Sequence, residues 1–324
     1  MREVREANTP EPRTFRVILR PDLGQASSRL KPVAELLRSA GCTVHVDFTT
    51  TVAEARAVAG EAAGRGEIIL ACGGDGTVRC MAGALAGTTG LLGVIPAGRG
   101  NDFGRDLRLP HTPEAVASLL LAAPVRTIDV LRVDGETVAG NVYAGLDSAA
   151  NKLANRSRFT PNGLVYPLAG LRALVKWQPA EYTLEVDGQV STHTAFSVVV
   201  ANTGFYGGGL HVAPAAVPDD GLLDVVVLGA TSKRHFPTAM REMRAGTHVN
   251  RPFNHAYRGR RVTVRADRTL PVYGDGDPVT AAREFTVELV PSALSVIGRL
   301  RAADQVEVDA SATDRLRGAD KTVG

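Results

Sequence analysis

Residues 68–87, IILACGGDGTVRCMAGALAG, decide the fold, because a short apolar strand leads here through adjacent glycines into a helix. Glycine reaches backbone conformations that other residues resist, and its lack of a side chain lets a ligand approach the main chain. The helix that follows offers unpaired N–H groups and the positive end of its dipole, which suits phosphate. Asp75 would repel phosphate unless a divalent cation lay between them, so the segment predicts a magnesium-bound nucleotide. The alternative is a tight turn in which Asp75 only caps the helix.

A second glycine-rich loop, PAGRGNDFGR at 96–105, also follows an apolar strand directly. The chain has no GxxxxGK[ST] P-loop, and GxGxxG fails at this loop because Phe103 stands where the third glycine would be. The carboxyl ends of neighbouring parallel strands border one crevice, so both loops are predicted to line the same site. An ordinary turn is the alternative for this loop.

Strands and helices alternate on both sides of these loops. Apolar, β-rich runs at 15–19, 42–48 and 91–96 alternate with helical patterns, among them 52–63 and a segment that opens with Pro113. This alternation predicts a parallel sheet covered by helices on both faces.

The second half of the chain has a different texture. β-rich runs such as YTLEVDGQV, AFSVVVANTG and EFTVELV are separated by Gly, Pro and Asp-Gly, which predicts a mostly antiparallel domain. Within it, Leu164, Leu168, Leu171 and Val175 recur at helical spacing and predict an amphipathic helix that ends near Trp177. Core packing against the sheet is one interpretation of this stripe, and a lid that faces lipid is the other.

The composition is that of an ordinary globular protein, with 324 residues, 44% hydrophobic and 22% charged. Such a length suits about two domains, and the composition excludes global disorder. Lys plus Arg number 37 against 34 for Asp plus Glu, so charge does not indicate a nucleic-acid partner. The three cysteines form no CxxC pair and the N-terminus has no apolar run, which predicts a cytoplasmic protein. No apolar stretch of about 18 residues occurs, which predicts that the chain has no transmembrane helix.

Several motifs in order resemble the diacylglycerol kinase catalytic-domain family, the lipid kinases that include bacterial diacylglycerol kinases and sphingosine and ceramide kinases. The motifs are Pro21-xx-Gly24, GGDGT at 73–77, PAGxGNDF at 96–103, NVYAGLD at 141–147, YGGG at 206–209, DDG at 219–221 and DGD at 275–277. The resemblance implies an ATP-binding α/β domain over 13–125, completed by 291–302, and a lipid-binding β-sandwich domain over 126–290. The active site would be the cleft between them, and the polar tail 303–324 is expected to be mobile.

The resemblance also implies a set of residues that contact ATP: Thr49, Gly73, Gly74, Asp75, Gly76, Thr77, Arg79, Gly98, Arg99 and Asn101. Four positions depart from the family's pattern, namely Arg20, Arg79, Cys80 and Arg99. Arginine is a good phosphate ligand, so Arg79 or Arg99 could bind phosphate in place of the family's residue.

Magnesium and the catalytic base follow from the same resemblance. Asp75, Asp102 and Asp129 match the aspartates that hold magnesium-linked water near the transferred phosphate. Asp220, with the carbonyls of Val217 and Leu222, matches a second, structural magnesium site, for which a plain β-turn is the alternative. For Asp129 the alternative is a solvated residue at the end of a strand.

The family's base is a glutamate in an Asp-Gly-Glu segment, whereas this chain has Asp275-Gly276-Asp277. Asp277 can accept the same proton, although its side chain is shorter by one C–C bond, about 1.5 Å. Asp275 is the next candidate, and a hairpin turn without catalytic duty is the alternative.

These features together predict an ATP- and magnesium-dependent lipid kinase that converts diacylglycerol to phosphatidic acid. Its partners would be ATP and a lipid at a membrane surface, which the protein would contact peripherally during turnover. A homodimer is possible, and no nucleic-acid partner is expected. An NAD kinase-like enzyme and a catalytically inactive nucleotide- or lipid-binding protein remain as alternatives. The basic cluster 258–268 is either a solvated face or a membrane-docking patch.

Overall fold

The computed structural model describes residues 13–19, 24–122, 124–156 and 162–300. The tail 303–324, together with Arg20 and Pro21, lies outside these residues. The first half contains, in chain order, β1 (Thr14–Leu19), α1 (Gly24–Ser39), β2 (Thr43–Phe48), α2 (Val52–Gly64), β3 (Ile68–Gly73), α3 (Asp75–Leu85), β4 (Leu91–Pro96), α4 (Asp102–Asp106) and α5 (Pro113–Ala122).

The strands of the first half pair in parallel. β1 lies between β2 and β3, and β3 pairs with β4, so the order is β4-β3-β1-β2. Alternate side chains of β3 enter two different cores, since Ile69 and Ala71 pack with α2 and α3, whereas Leu70 and Cys72 pack with α1 and α5. Helices therefore cover both faces of this part of the sheet.

The second half is β-rich. It contains, in chain order, β5 (Val125–Val133), β6 (Glu136–Val138), β7 (Asn141–Gly145), α6 (Leu146–Arg156), α7 (Asn162–Lys176), β8 (Ala180–Val186), β9 (Gln189–Ala201), β10 (Phe205–Tyr206), β11 (Leu210–His211), β12 (Leu223–Gly229), α8 (Phe236–Ala245), β13 (His255–Gly259), β14 (Arg261–Gly274) and β15 (Asp277–Ile297). Short 3₁₀ turns at Lys233–His235 and Thr247–Asn250 flank α8. The antiparallel pairing expected here is confirmed, because β12 pairs with β9 and β13, and β14 pairs with β7, β8 and β15, all antiparallel.

One strand joins the two halves. β15 is 21 residues long and pairs antiparallel with β14 and β5. Past an irregularity between Val290 and Leu294, its end turns to the first half, where Ser295 and Val296 pair in parallel with β4. The described strands therefore form one thirteen-stranded sheet, apart from the small hairpin of β10 and β11.

The amphipathic helix predicted before Trp177 is present as α7, which ends at Lys176. Its orientation differs from the core-packing interpretation of the leucine stripe. Leu168, Leu171 and Val175 are exposed, whereas the buried face is made by the smaller Ala169 and Ala173, together with Leu174. The side chain of Leu164 lies outside the described residues. No helix in the described ranges is both long and apolar enough to cross a membrane.

Candidate active site

The two glycine-rich loops touch each other through their backbones. β3 and β4 pair in register at Gly73 and Pro96, so the two segments that follow these strands leave the sheet at the same edge. A Cβ added to Gly98 would overlap the Cα of Gly74. A Cβ added to Gly74 would lie 3.1 Å from the Cα of Gly98, which is a tight contact, so glycine is required at 98 and favoured at 74.

These loops form one wall of a polar cleft of about 170 Å³. The opposite wall comes from the second half of the chain, which contributes the start of β7, the loop after β9 and the turn between β14 and β15. The predicted site residues that line the cleft are Gly74, Asp75, Gly76, Arg99, Asp102, Asp275 and Asp277.

Asp75 begins α3 at the floor of the cleft. Its Oδ1 accepts a hydrogen bond from the N–H of Phe103 at 3.1 Å, which ties the first loop to the second. Burial, together with the negative charges of Asp102 and Asp275, raises the pKa of Asp75 to about 7. A bound cation stabilises the ionised form of carboxyl groups that lie this close together.

Magnesium fits Asp75, with the remaining ligands drawn from phosphate and water. Among the described residues, no three His, Cys, Asp or Glu side chains converge on one metal position. Magnesium usually keeps several waters and binds one or two carboxylates together with substrate phosphates, so a single acid is sufficient.

Asp102 connects the first half of the chain to the second. Its carboxylate accepts hydrogen bonds from the N–H groups of Gly208 and Gly209 at 2.8 and 2.7 Å, and Arg105 lies 2.9 Å away. Asp106, one helical turn later, accepts from the N–H of Gly204 at 3.0 Å. The two acids of α4 therefore hold the loop 204–209 of the second half against the first. Asp102 also lines the cleft, so its role in holding magnesium-linked water stays a prediction.

Asp129 does not reach the cleft. It is 2% exposed, and its two carboxylate oxygens accept hydrogen bonds from Gly221 and Ser292 at 2.8 and 2.7 Å. Its own N–H donates to the carbonyl of Pro218 at 2.7 Å. The side chain of Asp129 therefore fixes the loop 217–222, and the prediction that it holds magnesium-linked water stays a prediction.

The residues predicted for a structural magnesium do not fit that ion. One oxygen of Asp220 accepts from the N–H of Leu222 at 3.0 Å, and the other forms a close ion pair with Arg258. Arg258 also lies 3.3 Å from Asp224, and the carbonyl of Val217 accepts from the N–H of Asp220 at 3.4 Å. The loop is thus a turn in which Arg258 already neutralises the carboxylate of Asp220.

Arg79 bonds to the turn between β14 and β15 and is not among the residues that line the cleft. The residue is 7% exposed, and its Nη1 donates to the carbonyl of Gly274 at 3.2 Å. Nη2 lies 3.4 Å from Glu136, which also pairs with Arg56 at 3.0 Å. Arg79 therefore supports the turn that carries Asp275 and Asp277.

That turn separates the two candidate bases. Asp275 has φ of 47° and accepts hydrogen bonds from three consecutive N–H groups, those of Ala139, Gly140 and Asn141, at 2.9 to 3.0 Å. Burial raises the pKa of Asp275 to about 6. Asp277 is exposed in the cleft, and a Cβ added to Gly76 would lie 2.8 Å from its Oδ2. Asp275 shapes the turn, and Asp277 lies against the start of α3.

The other predicted nucleotide contacts stabilise the loops without lining the cleft. Asn101, with φ of 53°, accepts from the N–H of Gly98 at 2.9 Å and donates to its carbonyl at 2.8 Å. Thr77 packs over Gly73, since a Cβ there would lie 2.8 Å from the Cβ of Thr77. Thr49 is 2% exposed at the end of β2.

An apolar cavity of about 140 Å³ adjoins the cleft. Its walls include residues of α6, α7 and α8, and the residues common to both cavities are Tyr143, Asn151, Tyr206 and Gly207. Asn151 donates a short hydrogen bond to the carbonyl of Gly276, so the turn with Asp277 lies at this junction. Asn151 and Asp106 carry no motif of their own, and the sequence offers no signal for either.

Two family models match the chain: the diacylglycerol kinase catalytic domain over residues 14–133, and the YegS C-terminal NAD kinase beta sandwich-like domain over residues 140–298. A diacylglycerol kinase of Mycobacterium tuberculosis is 35% identical over 245 residues, which cover 71% of this chain and 76% of that protein. The chain belongs to the diacylglycerol kinase family. A Pseudomonas fluorescens protein named "Probable lipid kinase YegS-like" is 30% identical over 277 residues, covering 83% of this chain and 90% of that protein.

The fold of the diacylglycerol kinase family is also found in a solved structure. A crystal structure from Bacillus anthracis superposes with a TM-score of 0.72 at 23% identity, covering 89% of this chain and 97% of that one. Members of the diacylglycerol kinase family are phosphotransferases, so the polar cleft between the glycine-rich loops and the turn 275–277 is the candidate site of phosphoryl transfer.

Proposed function

We propose that this member of the diacylglycerol kinase family transfers the γ-phosphoryl group of ATP to the hydroxyl of diacylglycerol, which gives phosphatidic acid. The observation that carries the proposal is the position of Asp277, between a glycine-rich phosphate cradle and an apolar cavity. A phosphoryl donor and a lipid acceptor would have to meet at such a point.

Phosphate would be bound by backbone N–H groups and by one arginine side chain. The start of α3 at Gly74–Gly76 presents N–H groups and the positive end of the helix dipole, and Arg99 lines the same cleft. Asp75 would hold magnesium, which neutralises phosphate charge during transfer. Transfer of this kind depends mainly on positioning and charge, and such a site supplies both.

Asp277 would be the general base. Its carboxylate is exposed in the cleft, and as an ionised acid it can accept the proton of the attacking hydroxyl. Asp275 is less suited to this task, because three backbone N–H groups already bind it. The turn itself is supported from both halves, by Arg79 through Gly274 and by Asn151 through Gly276.

The lipid end would be the apolar cavity. Leu146, Leu174 and Phe236 are among its lining residues, and it meets the polar cleft at Tyr143 and Tyr206. Acyl chains would lie in this cavity and leave the hydroxyl group at the junction near Asp277. A polar dinucleotide acceptor such as NAD would gain nothing from these apolar walls.

The experiment uses purified protein, ATP and magnesium with separate acceptors, namely diacylglycerol, sphingosine, ceramide, phosphatidylglycerol and NAD, and identifies products by mass. Phosphatidic acid is expected as the main product. A phosphorylated NAD product would overturn the proposal in favour of an NAD kinase, and ATP binding without any product would favour an inactive binding protein.

A pair of variants tests the lipid end. Ala239 lines the apolar cavity, whereas Ala256 is an exposed residue of β13. Ala239→Phe should narrow the cavity and raise KM for long-chain diacylglycerol about tenfold without weakening ATP binding, since the added ring competes with acyl chain. Ala256→Phe is the control and should behave as wild type. Equal kinetics of the two variants would contradict the assignment of the cavity.

A further inference from the structure

Asp147 is an acid in the wall of the apolar cavity. It is the second residue of α6, and its N–H donates to the hydroxyl of Ser197 at 3.2 Å. Its Oδ2 is buried and has no hydrogen-bond partner within the described ranges. A buried oxygen without a partner is destabilising, and in a cavity wall such an atom indicates a polar contact with the occupant. The roles proposed for the glycine-rich loops and for Asp277 leave this acid unused.

The surroundings of Asp147 keep its carboxyl close to neutrality. The residue is half-buried by its accessible surface, but protein atoms enclose the carboxyl, and this burial raises its pKa to about 6. Hydrogen bonds from the hydroxyls of Tyr206 and Ser197 favour the ionised form and oppose the shift. No charged side chain of the described ranges contributes to it. An apolar ligand that displaced the remaining water would raise the pKa further.

Other titratable groups near Asp147 lie on several elements. Tyr182 of β8 is buried, and its pKa is raised first by burial and then by the charge of Asp147. Burial lowers the pKa of His248 to about 4, so this imidazole is neutral at neutral pH. The titratable side chains that line the cavity beside Asp147 are Tyr143, Tyr206, Lys233, His235, Glu242 and His248. A change in proton count on binding is therefore assigned to Asp147 through its variants.

Tyr206 connects Asp147 to the polar cleft. Tyr206 lines both cavities, whereas Asp147 lines only the apolar one of the two. The rings of Tyr206 and Tyr143 pack edge to face with their centroids 5.4 Å apart, and Tyr143 also lines both cavities. Asp277 lines the cleft side of this junction. An acceptor whose hydroxyl reached Asp277 would therefore place its neighbouring polar atoms towards Asp147.

The chemistry of diacylglycerol decides which form of Asp147 suits it. Its hydroxyl is its one hydrogen-bond donor, and its remaining polar atoms are ester oxygens, which only accept. The esters lie a few bonds from the hydroxyl, so they would enter the apolar cavity when the hydroxyl is at Asp277. An ionised carboxylate repels a carbonyl oxygen, whereas a protonated carboxyl donates a hydrogen bond to it. The neutral acid is therefore the complementary form.

We propose that Asp147 in its protonated form donates a hydrogen bond to an ester carbonyl of the bound acceptor and thereby selects lipids that carry an ester beside the hydroxyl. The inference rests on the proposed function, because it takes diacylglycerol as the acceptor. The proton comes from the solvent when the lipid binds and returns to it when the product leaves. Asp147 is thus a specificity-determining residue and takes no part in the transfer of the phosphoryl group.

Calorimetry without ATP tests the proton. Binding of a short-chain diacylglycerol dispersed as monomers is measured at about pH 7 in two buffers that differ in ionisation enthalpy. With a pKa of about 6, about nine-tenths of Asp147 is ionised at this pH, so wild type should take up as much as about 0.9 proton per lipid. Its affinity should fall about tenfold between about pH 7 and about pH 8. Asp147→Asn keeps a donor and is always neutral, so it should take up less by that amount and bind equally at both pH values.

Two variants complete the test. Asp147→Leu has no donor and should bind diacylglycerol about tenfold more weakly than Asp147→Asn. Asp134→Asn, the same exchange at an exposed acid in the turn between β5 and β6, is the matched control and should behave as wild type. Equal affinity of the Asn and Leu variants would overturn the proposal. Weak binding by Asp147→Asn with no proton uptake by wild type would also overturn it, because the carboxylate would then accept a hydrogen bond from the lipid.

An ether analogue separates this inference from the proposed function. A dialkylglycerol has the hydroxyl and both chains but no carbonyl, so wild type should bind it about tenfold more weakly than diacylglycerol, and Asp147→Leu should bind the two equally. Phosphatidic acid formed from diacylglycerol with no preference for ester over ether would overturn the role of Asp147 and leave the kinase activity standing. Ester-selective binding with proton uptake, but without any phosphorylated product when ATP and magnesium are added, would uphold the role and overturn the proposed function. Absence of diacylglycerol binding would overturn both.

Discussion

Arg79→Met is expected to slow phosphoryl transfer and destabilise the fold while leaving ATP affinity unchanged. The side chain of Arg79 is only 8% exposed, and its guanidinium donates to the carbonyl of Gly274, one residue before the turn with Asp275 and Asp277. Removal of the guanidinium leaves this carbonyl without its charged donor, and Met cannot replace it. The turn would then lose its support from the first half of the chain.

The magnitude follows from the two contacts. A buried hydrogen bond from a charged donor contributes about 1.5 to 3 kcal/mol. The pair with Glu136, whose side chain is 38% exposed, adds at most about 1 kcal/mol after screening by solvent. The free energy of unfolding should therefore fall by about 1.5 to 4 kcal/mol. A shift of about 1 Å in the position of Asp277 would lower kcat by about 100-fold.

Three measurements check this prediction: urea unfolding, calorimetric ATP affinity, and kcat on diacylglycerol at saturating ATP. Arg56→Met is the control, because Arg56 also pairs with Glu136 but is 33% exposed and makes no bond to Gly274. It should change stability by less than about 1 kcal/mol and leave kcat nearly unchanged. If Arg79→Met instead weakens ATP binding about tenfold or more at unchanged stability, Arg79 is a phosphate ligand and the reasoning is refuted.

Three further predictions concern the acids of the site. Asp277→Asn should lower kcat by about 10²- to 10⁴-fold with little change in ATP affinity, whereas Asp277→Glu should remain active; a wild-type rate for the Asn variant would exclude Asp277 as the base. Because burial and Asp102 hold the pKa of Asp75 at about 7 instead of 3.8, the folded chain keeps a proton that the unfolded chain loses, and stability falls as pH rises between these values. Asp75→Asn should therefore abolish transfer yet raise the Tm near about pH 8 and not near about pH 4, and equal Tm shifts at both pH values would contradict this. Magnesium should shift the Tm of wild type and Asp220→Asn equally, because Arg258 already neutralises that carboxylate, and a smaller shift in the variant would restore the structural magnesium site.

The glycine-rich loops could be predicted from the sequence because their function depends on the main chain. Gly98 must be a glycine for the loops to touch and Gly74 is favoured as one, and their position after an apolar strand is enough to place them. The roles of charged side chains could not be predicted in this way. Arg79 bonds to a residue 195 positions away, and Asp102 bonds to residues 106 and 107 positions away, so their partners depend on how the two halves meet.

The helix α7 shows a second limit of sequence patterns. Large apolar residues at helical spacing predict an amphipathic helix, yet the periodicity does not state which side faces the protein. Here the buried side is made of Leu174 together with Ala169 and Ala173, and the small side chains of the two alanines give little signal in a hydrophobic pattern. The larger Leu168, Leu171 and Val175 are left outside.

The long strand β15 has a consequence for synthesis of the protein. The parallel strand β4 leaves the ribosome early, yet the strand that borders its free edge, at Ser295 and Val296, is translated about two hundred residues later. Until then the nascent first half exposes an unpaired edge of an apolar strand, which is prone to pair with other chains. A fragment that stops after β5 should therefore aggregate when expressed alone, and co-expression of the remainder should rescue it.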